Sequence, residues 1–357
     1  MEARAVEGRA VPSSSPILTT DILVIGAGVL GLCAAVELTR RGREVRVLDP
    51  GAANASSVAA GMIAPAIESF VDGATSDRAR LLRDAGRLWA DIPSVKLKPA
   101  PAIWRGGDGE RTVATLRGLG FEASLDDRGQ VHAPDDVQLD PVAALKALRS
   151  LLRAPVVEGA ALRIARIEAG WSVETGAGGI EAATVVLATG AAEPLPGLPD
   201  GVARLVRQIE PIRGQIGFTA QTLAQTVTRG AGGYVAPTAG GALIGATMEA
   251  GRRDLEPDAA VGARLAAMAA ALVEQEIEAG IDWRVGVRGA TPDGLPMAGA
   301  SGEPGLYLAL APRRNGWLLG PLVGRLVADA IGTEIGAEIE GGGALEHAAA
   351  LNPVRFA

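Results

Sequence analysis

The apolar positions near the start of the chain follow two different periods. Residues Ile22 to Ile25 form a continuous apolar run that is typical of a buried parallel strand, and residues 29–41 repeat their apolar positions at helical spacing. The helical pattern ends at Gly42, and a second apolar run, Val45 to Leu48, is closed by Asp49. The pattern therefore predicts a strand–helix–strand unit of the kind found in doubly wound α/β domains.

Three glycines lie between the first strand and the helix, Gly26, Gly28 and Gly31, in GxGxxG spacing. In a dinucleotide-binding loop the first allows a sharp turn, the second lets the backbone approach a pyrophosphate, and the third lets helix and strand pack closely. The helix begins at Val29, and its free N–H groups face the phosphates. Asp49 follows Gly31 by 18 positions, close to the spacing of about 20 expected for a ribose contact. An acidic residue there favours a free 2′-hydroxyl, which predicts FAD or NAD rather than NADP.

Composition limits the class of protein. The chain has 357 residues and a mass of 36.2 kDa, enough for two lobes. It contains 48 glycines and 48% hydrophobic residues with only 3% aromatic ones, a mix that suits an α/β enzyme with many tight turns. The net charge of −7, without a basic block, argues against nucleic acid or an anionic membrane surface as a partner.

Cysteine and histidine are scarce. Cys33, His132 and His347 are the complete set, which excludes an internal disulfide and a Cys/His zinc cluster. The polar first 20 residues lack the pattern of a secretion signal and are predicted to be a disordered tail. No apolar run approaches the roughly 18 to 20 residues that span a bilayer, so we expect a cytoplasmic protein with no membrane partner.

The segment at residues 53–65 is rich in small residues and carries Gly61 and Met62 near its end. Taken alone, it is also compatible with an ordinary surface loop. It resembles the loop that, in the D-amino-acid oxidase family of FAD-dependent enzymes, runs along the ribityl chain and the isoalloxazine ring. The resemblance favours FAD over NAD and implies cofactor contacts from Ser56, Ser57, Ala60, Gly61 and Met62.

Further segments continue the resemblance in family order over residues 21–332. An apolar strand at residues 182–194 contains Thr189 and Gly190, whose turn the family places near FAD, and Leu162 matches a backbone contact to the adenine. A helix expected at residues 317–331 would point its N-terminus at the electron-rich end of the flavin and stabilise the reduced anion. The contacts implied at this end come from Asn315, Gly316, Trp317 and Leu318.

The group within the family that the chain resembles most is the thiamine-biosynthetic glycine oxidases (ThiO). The implied fold is α/β, with a Rossmann-like FAD-binding domain interleaved with a mixed-sheet α+β substrate domain. We assign residues 21–65, 131–205 and 287–357 to the FAD-binding domain and residues 66–130 and 206–286 to the substrate domain. The family also implies a homo-oligomer.

Two arginines interrupt the apolar stretch at residues 308–321, and a buried guanidinium requires an anionic partner. Arg314 matches the family's arginine that pairs with the substrate carboxylate, a group that a guanidinium can bind through two parallel N–H donors. Relatives usually carry Gly-His-Phe before that arginine, whereas this chain has Ala311-Pro312-Arg313. Arg313 is interpreted as a solvent-facing neighbour or an interface ion-pair former.

Three further residues are assigned by the resemblance. Tyr234 stands where the family has an aromatic hydroxyl beside the substrate carboxylate, just before a hairpin predicted at Gly240 and Gly241. Met248 is expected to line the substrate side of the flavin. Arg288 is expected to support the pyrimidine edge of the flavin or the fold.

The implied activity is FAD-dependent oxidative deamination of glycine or another small amino acid. A neutral substrate amine helps to expel the α-hydrogen as hydride to flavin N5, so no dedicated protein base is needed. Oxygen would accept the electrons, giving hydrogen peroxide with imine or glyoxylate and ammonia, in thiamine thiazole biosynthesis. The FAD is expected to be non-covalent, because Cys33 is interpreted as core filler and both histidines lie outside the flavin motifs.

Two other readings stay open. The first is a D-amino-acid or sarcosine-type oxidase, or a dehydrogenase that uses another acceptor, on the same fold. The second is a non-catalytic flavin-binding subunit, which the altered residues 311–313 make conceivable.

The glycine loop gives a direct test. We expect Gly28→Val to lose FAD, because the valine side chain would occupy the surface through which the backbone approaches the pyrophosphate. The visible absorbance of the purified variant measures the bound flavin. A yellow holoprotein after this substitution would contradict the assignment of the pyrophosphate site.

Overall fold

The computed structural model describes residues 17–98, 101–278, 280–334 and 346–357. The first strand begins at Ile17, so the prediction of a disordered tail is wrong for residues 17–20, while residues 1–16 lie outside the described part. The sequence hid this extension because polar residues interrupt the apolar pattern there. Residues 17–20 pair with residues 179–182, which supply the backbone partners that the side-chain pattern could not reveal.

The strands of the described residues fall into three sheets. In chain order they are β1 (Ile17–Ile25), β2 (Val45–Asp49), β3 (Met62–Ile63), β4 (Leu97–Lys98), β5 (Ala102–Trp104), β6 (Ser124–Leu125), β7 (Val131–Ala133), β8 (Val137–Leu139), β9 (Val157–Glu158), β10 (Ala161–Ile167), β11 (Gly170–Thr175), β12 (Gly178–Leu187), β13 (Glu210–Thr219), β14 (Thr228–Gly230), β15 (Gly233–Thr238), β16 (Gly241–Gly245), β17 (Glu249–Ala250), β18 (Asp282–Ala290), β19 (Met297–Ala300) and β20 (Leu306–Leu310).

The helices separate and cover these sheets. They are α1 (Val29–Arg40), α2 (Ala55–Val58), α3 (Pro65–Val71), α4 (Ser76–Arg87), α5 (Gly109–Gly118), α6 (Pro141–Ser150), α7 (Asp200–Arg207), α8 (Ala259–Val273), α9 (Gly316–Glu334) and α10 (Ala348–Leu351), with 3₁₀ turns at Leu88–Asp91 and Pro353–Phe356. Asp140 caps α6, because its carboxylate accepts a hydrogen bond from the backbone N–H of Ala143 at 2.9 Å.

The first sheet is the nucleotide-binding layer expected from the sequence. Its strand order is β10-β11-β12-β1-β2-β9, with β20 beside β12 and β19 beside β20. The pairs β1–β2, β1–β12 and β12–β20 are parallel, so the loops that follow these strands meet at one edge. Alternate residues of β1 point into two cores: Ile22 and Val24 face α1 and α9, while Leu23 and Ile25 face α7.

The second sheet carries the other lobe. Its order is β17-β13-β16-β15-β14-β5-β7-β6, with β18 paired along the length of β13. The predicted hairpin is confirmed, because β15 and β16 pair antiparallel and close at Gly240 and Gly241. Helix α8 packs on one face through Val261, Leu265 and Ala269.

The two sheets draw on alternating parts of the chain, as the predicted interleaved fold requires. Sheet pairing differs from our predicted domain boundaries at two points. Residues 131–133 pair with β5 in the second sheet, and β18 stays in that sheet until Ala290. The chain therefore leaves the second sheet later than predicted at both points, because the strand partners decide which sheet a segment joins. A third small sheet has the order β3-β8-β4.

Helix α9 contains Pro321, which removes one backbone hydrogen bond from the first turns of the helix. Proline has no backbone N–H, so the carbonyl of Trp317, four residues earlier, lacks its usual helical donor. The indole N–H of Trp89 donates to that carbonyl at 2.6 Å, and both tryptophans are almost fully buried. The rings lie 5.9 Å apart between centroids. Trp89 therefore holds the first turn of α9 in place.

Among the described residues, the structure has no helix with the length and apolarity that crossing a bilayer requires.

The Trp89 contact predicts a specific loss of stability. We expect Trp89→Phe to lower the free energy of unfolding by about 1–3 kcal/mol, because it leaves the buried carbonyl of Trp317 without a donor. Urea denaturation measures the change. Trp283→Phe is the control, because Trp283 is a partly buried indole that packs against the apolar cluster around α8. Equal losses in both variants would contradict a role for this hydrogen bond.

Candidate active site

The glycine loop after β1 has the geometry that a dinucleotide loop requires. Gly26 has φ of 113°, and a Cβ there would overlap the carbonyl of Ala188 at the end of β12. A Cβ at Gly31 would overlap the carbonyl of Gly26, so α1 can approach β1 only with glycine at this position. Gly28 is different, because the atom nearest to a Cβ there is the hydroxyl of Ser56 at 3.4 Å. The face of Gly28 is thus open for a ligand.

Asp49 supports this loop from the end of β2. Its carboxylate accepts the backbone N–H of Ala27 at 2.6 Å and that of Gly51 at 2.8 Å. Sequence spacing suggested a ribose contact and missed this second role. The ribose contact of Asp49 stays a prediction.

The start of α1 fits a pyrophosphate. Its N-cap residue is Gly28, which provides no side-chain cap, and the first turn has no acidic residue. The N–H of Val29 meets the hydroxyl of Ser56 at 3.0 Å. A first cavity opens here, lined by Gly28, Val29, Ser56, Ala188, Gly190, Gly316 and Trp317 among others. Open backbone at Gly28 and an uncapped helix start are the features that the phosphates of FAD need.

The segment at residues 53–65, predicted above to be a loop, contains helix α2 and strand β3. Asn54 caps α2 and exchanges hydrogen bonds with Ser57, so the Ser57 hydroxyl is used inside the cap. Gly61 has φ of 71° and lies against Leu139, where a Cβ would overlap the carbonyl. The amide of Gln138 donates to the carbonyl of Ala60 at 2.9 Å. These contacts fix the backbone that faces the second cavity.

The second cavity is the larger one, at about 480 Å³. It lies between the second sheet and the turn before α9, next to the first cavity. The predicted residues that line it are Ala60, Gly61, Met62, Tyr234, Met248, Arg288, Arg314, Asn315 and Trp317. This cavity is where the predicted substrate residues and the flavin-ring residues come together.

Other predicted residues do not line either cavity. Gly26, Gly31 and Asp49 shape the glycine loop, Ser57 caps α2, and Leu318 is buried in the core below α9. Thr189 lies in the turn after β12, and Leu162 is half exposed at a register shift at the start of β10. Their predicted cofactor contacts stay predictions.

Tyr234 and Arg288 lie across one face of the second sheet. Tyr234 pairs with Gly245 on β16, and a Cβ at Gly245 would overlap the tyrosine hydroxyl. A Cβ at Gly214 on β13 would likewise overlap the guanidinium of Arg288. Two glycines on neighbouring strands therefore leave room for these side chains to lie flat and approach each other.

Arg288 has no carboxylate partner among the residues that the structure describes. Its Nη1 donates to the carbonyl of Thr247 at 3.2 Å and lies 3.6 Å from the sulfur of Met248. Burial lowers the pKa of the guanidinium, although arginine stays charged. Burial raises the pKa of Tyr234, against the pull of the positive charges of Arg288 and Arg229, so its hydroxyl keeps a proton to donate.

Arg314 is already neutralised by the protein. Its Nε donates to Glu68, and its Nη2 donates to Asp72 at 2.8 Å. Arg313 donates to the same Asp72 oxygen at 3.1 Å, so it faces an acidic residue of its own chain. The anion that meets the two arginines in this structure is therefore a pair of carboxylates on and just after α3. Whether Arg314 also binds substrate stays a prediction.

Glu68 is the functional-site residue that sequence reasoning missed. It is 5% exposed, and Arg229 on β14 donates to its second oxygen at 2.7 Å. Burial alone would raise the pKa of Glu68, but the charges of Arg229 and Arg314 lower it below its ordinary value. The only available signal was an acidic residue within the apolar helix α3, and it did not indicate which cations would meet it.

Asp136 holds α3 in the orientation that Glu68 needs. Its carboxylate accepts the N–H groups of Ala66 and Ile67 at 2.7 and 2.9 Å. Burial raises the pKa of Asp136 to about 7, against the pull of these two N–H groups. The first turn of α3 is thus tied to the segment before β8.

The turn before α9 is strained. Ala311 and Arg313 have φ of 61° and 53°, a region that costs residues with side chains about 1–3 kcal/mol each. Two hydrogen bonds maintain it, from Arg313 N to the Gly289 carbonyl at 2.8 Å and from Asn315 N to the Pro312 carbonyl at 2.9 Å. The turn places Arg314 and Asn315 on the cavity wall.

The residues considered for covalent flavin attachment lie away from both cavities. Cys33 is buried between α1 and α9, where burial raises its pKa, so its predicted role as core filler is confirmed. His132 meets Asp126 at 3.0 Å, and His347 meets Asp84 at 3.2 Å.

Comparison with known proteins agrees with this geometry. The family model described as FAD dependent oxidoreductase (DAO) matches residues 21–330. The glycine oxidase of Geobacillus kaustophilus is 30% identical, over 87% of this chain and 92% of its own. A glycine oxidase crystal structure from that organism superposes with a TM-score of 0.73 at 26% identity, covering 91% of this chain and 97% of the other.

Two longer relatives are also similar. The bifunctional protein ThiO/ThiG of Nostoc sp. is 31% identical over 88% of this chain, and the tRNA 5-methylaminomethyl-2-thiouridine biosynthesis bifunctional protein MnmC of Caulobacter sp. is 28% identical over 88%. This chain spans 53% and 55% of their lengths, about half of each. The family match over most of the chain, the nucleotide loop and the order of the strands agree, and the chain belongs to the DAO family of FAD-dependent oxidoreductases.

Proposed function

We propose that this FAD-dependent oxidoreductase oxidises the amine of glycine or another small amino acid. The substrate carboxylate would be bound by Arg288 and Tyr234. Oxygen would accept the electrons, and the imine product would hydrolyse to the oxo acid, glyoxylate from glycine, and ammonia, with hydrogen peroxide as the second product. FAD, when bound, supplies the electron acceptor for the substrate.

The unpaired charge of Arg288 is the observation that carries this proposal. Glu68 and Asp72 already meet the charge of Arg314, whereas Arg288 faces the cavity with neutral contacts only. A guanidinium in such a place favours an entering carboxylate, which it binds through two N–H donors. We therefore move the predicted carboxylate contact from Arg314 to Arg288.

The rest of the cavity supports positioning rather than proton transfer by the protein. Among its described lining residues Glu68 is the one carboxylate, and both of its oxygens accept from arginines. It is therefore unsuited to act as a base. A substrate that enters with a neutral amine needs no such base, since its lone pair assists the loss of the α-hydrogen. Arg288 and Tyr234 fix the α-carbon, and Trp317 and Met62 help to enclose it.

The biological setting is proposed from the relatives. The glycine oxidase and ThiO/ThiG relatives support a place in thiamine biosynthesis, and we keep the predicted cytoplasmic location and homo-oligomer as part of this proposal. The MnmC relatives favour a second candidate, oxidation of an amine on a modified tRNA nucleoside. The net charge of −7 argues against this candidate.

The two arginines give opposite expectations. Arg288→Gln should lower kcat/KM for glycine by about 30-fold to several thousand-fold while FAD stays bound, because a carboxylate in a desolvated pocket loses its charged partner. Arg314→Gln should mainly lower stability, because it leaves Glu68 and Asp72 short of a cation. Steady-state oxygen uptake and the flavin absorbance measure both effects.

Arg252→Gln serves as the control, since Arg252 is half exposed on a loop outside the cavity lining. Normal activity in Arg288→Gln together with a large loss in folded, yellow Arg314→Gln would return the carboxylate contact to Arg314. If no variant and no wild-type preparation oxidises a small amino acid, the proposed function is wrong.

A further inference from the structure

We propose that the substrate cavity contains a second anion subsite at Arg229, and that the substrate is an amine with two carboxylates. This inference rests on the proposed function, in which Arg288 and Tyr234 bind the first carboxylate. It narrows the substrate class from small amino acids in general to amino dicarboxylates.

The charges around the cavity do not balance. Arg229, Arg288, Arg313 and Arg314 line or adjoin it, and Glu68 and Asp72 are the carboxylates that they meet. Counted over these ion pairs, two positive charges are left over, and the buried Asp136 near Arg229 offsets only part of the second, since burial raises its pKa to about 7. One belongs to Arg288, which meets no carboxylate among the described residues, and the other to the cluster of three arginines around Glu68 and Asp72. A substrate with one carboxylate would neutralise only the first.

Arg229 is the member of this cluster that is short of acceptors. It is 7% exposed, and only its Nη2 reaches Glu68. Its Nη1 is buried without a hydrogen-bond partner among the described residues, and a buried donor in that state is costly. Arg314, in contrast, uses two nitrogens on two different carboxylates. A carboxylate that enters the cavity would give Arg229, which lines the wall, a second anionic partner beside Glu68.

The second sheet places Arg229 and the first carboxylate site in one row. Arg229 on β14 is the direct cross-strand partner of Tyr234 on β15, which in turn opposes Gly245 on β16. Directly opposed residues share a face and have Cβ atoms about 4.5–5.5 Å apart. The Tyr234 hydroxyl lies over Gly245, on the side of the sheet where Arg288 lies over Gly214. Tyr234 therefore stands between two cations on the same cavity wall.

The region around Arg229 is shaped to hold a side chain. Phe70 and Trp104 pack edge to face with ring centroids 5.3 Å apart, and both line the cavity with Arg229. Gly230 and residues 231–233 continue the lining without large side chains. The subsite thus combines an aromatic wall, open backbone and one cation, which suits a short aliphatic chain that ends in a carboxylate.

Non-oxidisable acids test the subsite without relying on turnover. The holoenzyme is titrated with acetate, malonate, succinate and glutarate, and dissociation constants are read from changes in the flavin spectrum. We expect at least one dicarboxylate to bind about tenfold or more tightly than acetate, because it adds a charge-assisted hydrogen bond at Arg229. In Arg229→Gln this preference should fall to about onefold, in Arg229→Lys it should be retained in part, and in Arg252→Gln it should be unchanged.

The outcomes separate this inference from the proposed function. If acetate binds and Arg288→Gln weakens it, but no dicarboxylate exceeds acetate in the wild-type enzyme, the subsite is wrong and the proposed function stands. This result needs no variant at Arg229 and so holds even if Arg229→Gln fails to fold. A dicarboxylate preference that survives in folded Arg229→Gln would also overturn the assignment. If no acid perturbs the flavin, the proposed carboxylate site fails and the subsite with it.

Discussion

The ion pairs around Glu68 organise the functional half of this protein. They join three distant parts of the chain: helix α3, strand β14 through Arg229, and the turn before α9 through Arg314. A buried carboxylate is costly unless cations and hydrogen bonds surround it, and removing one partner of such a group costs about 3–5 kcal/mol. Asp136 ties down the start of α3, and Trp89 ties down the start of α9. The cavity between the two sheets therefore has walls that are fixed to one another.

The same cluster decides which cations are free for a ligand. Arg314 is paired with the protein's own carboxylates, so Arg288 and Arg229 are the other cations in the lining of the second cavity. The FAD-binding parts are separate from this charge distribution, because the glycine loop and the start of α1 use backbone N–H groups. The two sheets therefore differ in what they offer a ligand. The loop after the first sheet offers backbone N–H groups that suit the cofactor, and the second sheet offers charged side chains that suit the substrate.

Much of the fold could be predicted from the sequence, because it depends on local patterns. The apolar run at Ile22 to Ile25, the glycine spacing and the capping Asp140 each carry a local physical signal, and the family resemblance supplied the order of the strands. The features that could not be predicted depend on contacts between residues far apart in the chain. Arg314 and Glu68 are 246 positions apart, so no local pattern could show that one neutralises the other. The strand at residues 17–20 could not be predicted for the same reason: its backbone pairs with the distant strand β12, while its side chains do not follow an apolar strand pattern.

The central claim is that this cavity brings an amino-acid amine to the flavin through its carboxylate. An anaerobic visible spectrum of the purified holoprotein, recorded before and after adding glycine, sarcosine and D-alanine separately, tests it most directly. We predict that at least one of these amines bleaches the flavin and that admitting air restores the colour. The account would be contradicted by a yellow protein whose flavin stays oxidised with all three amines and also with an amino dicarboxylate such as D-aspartate.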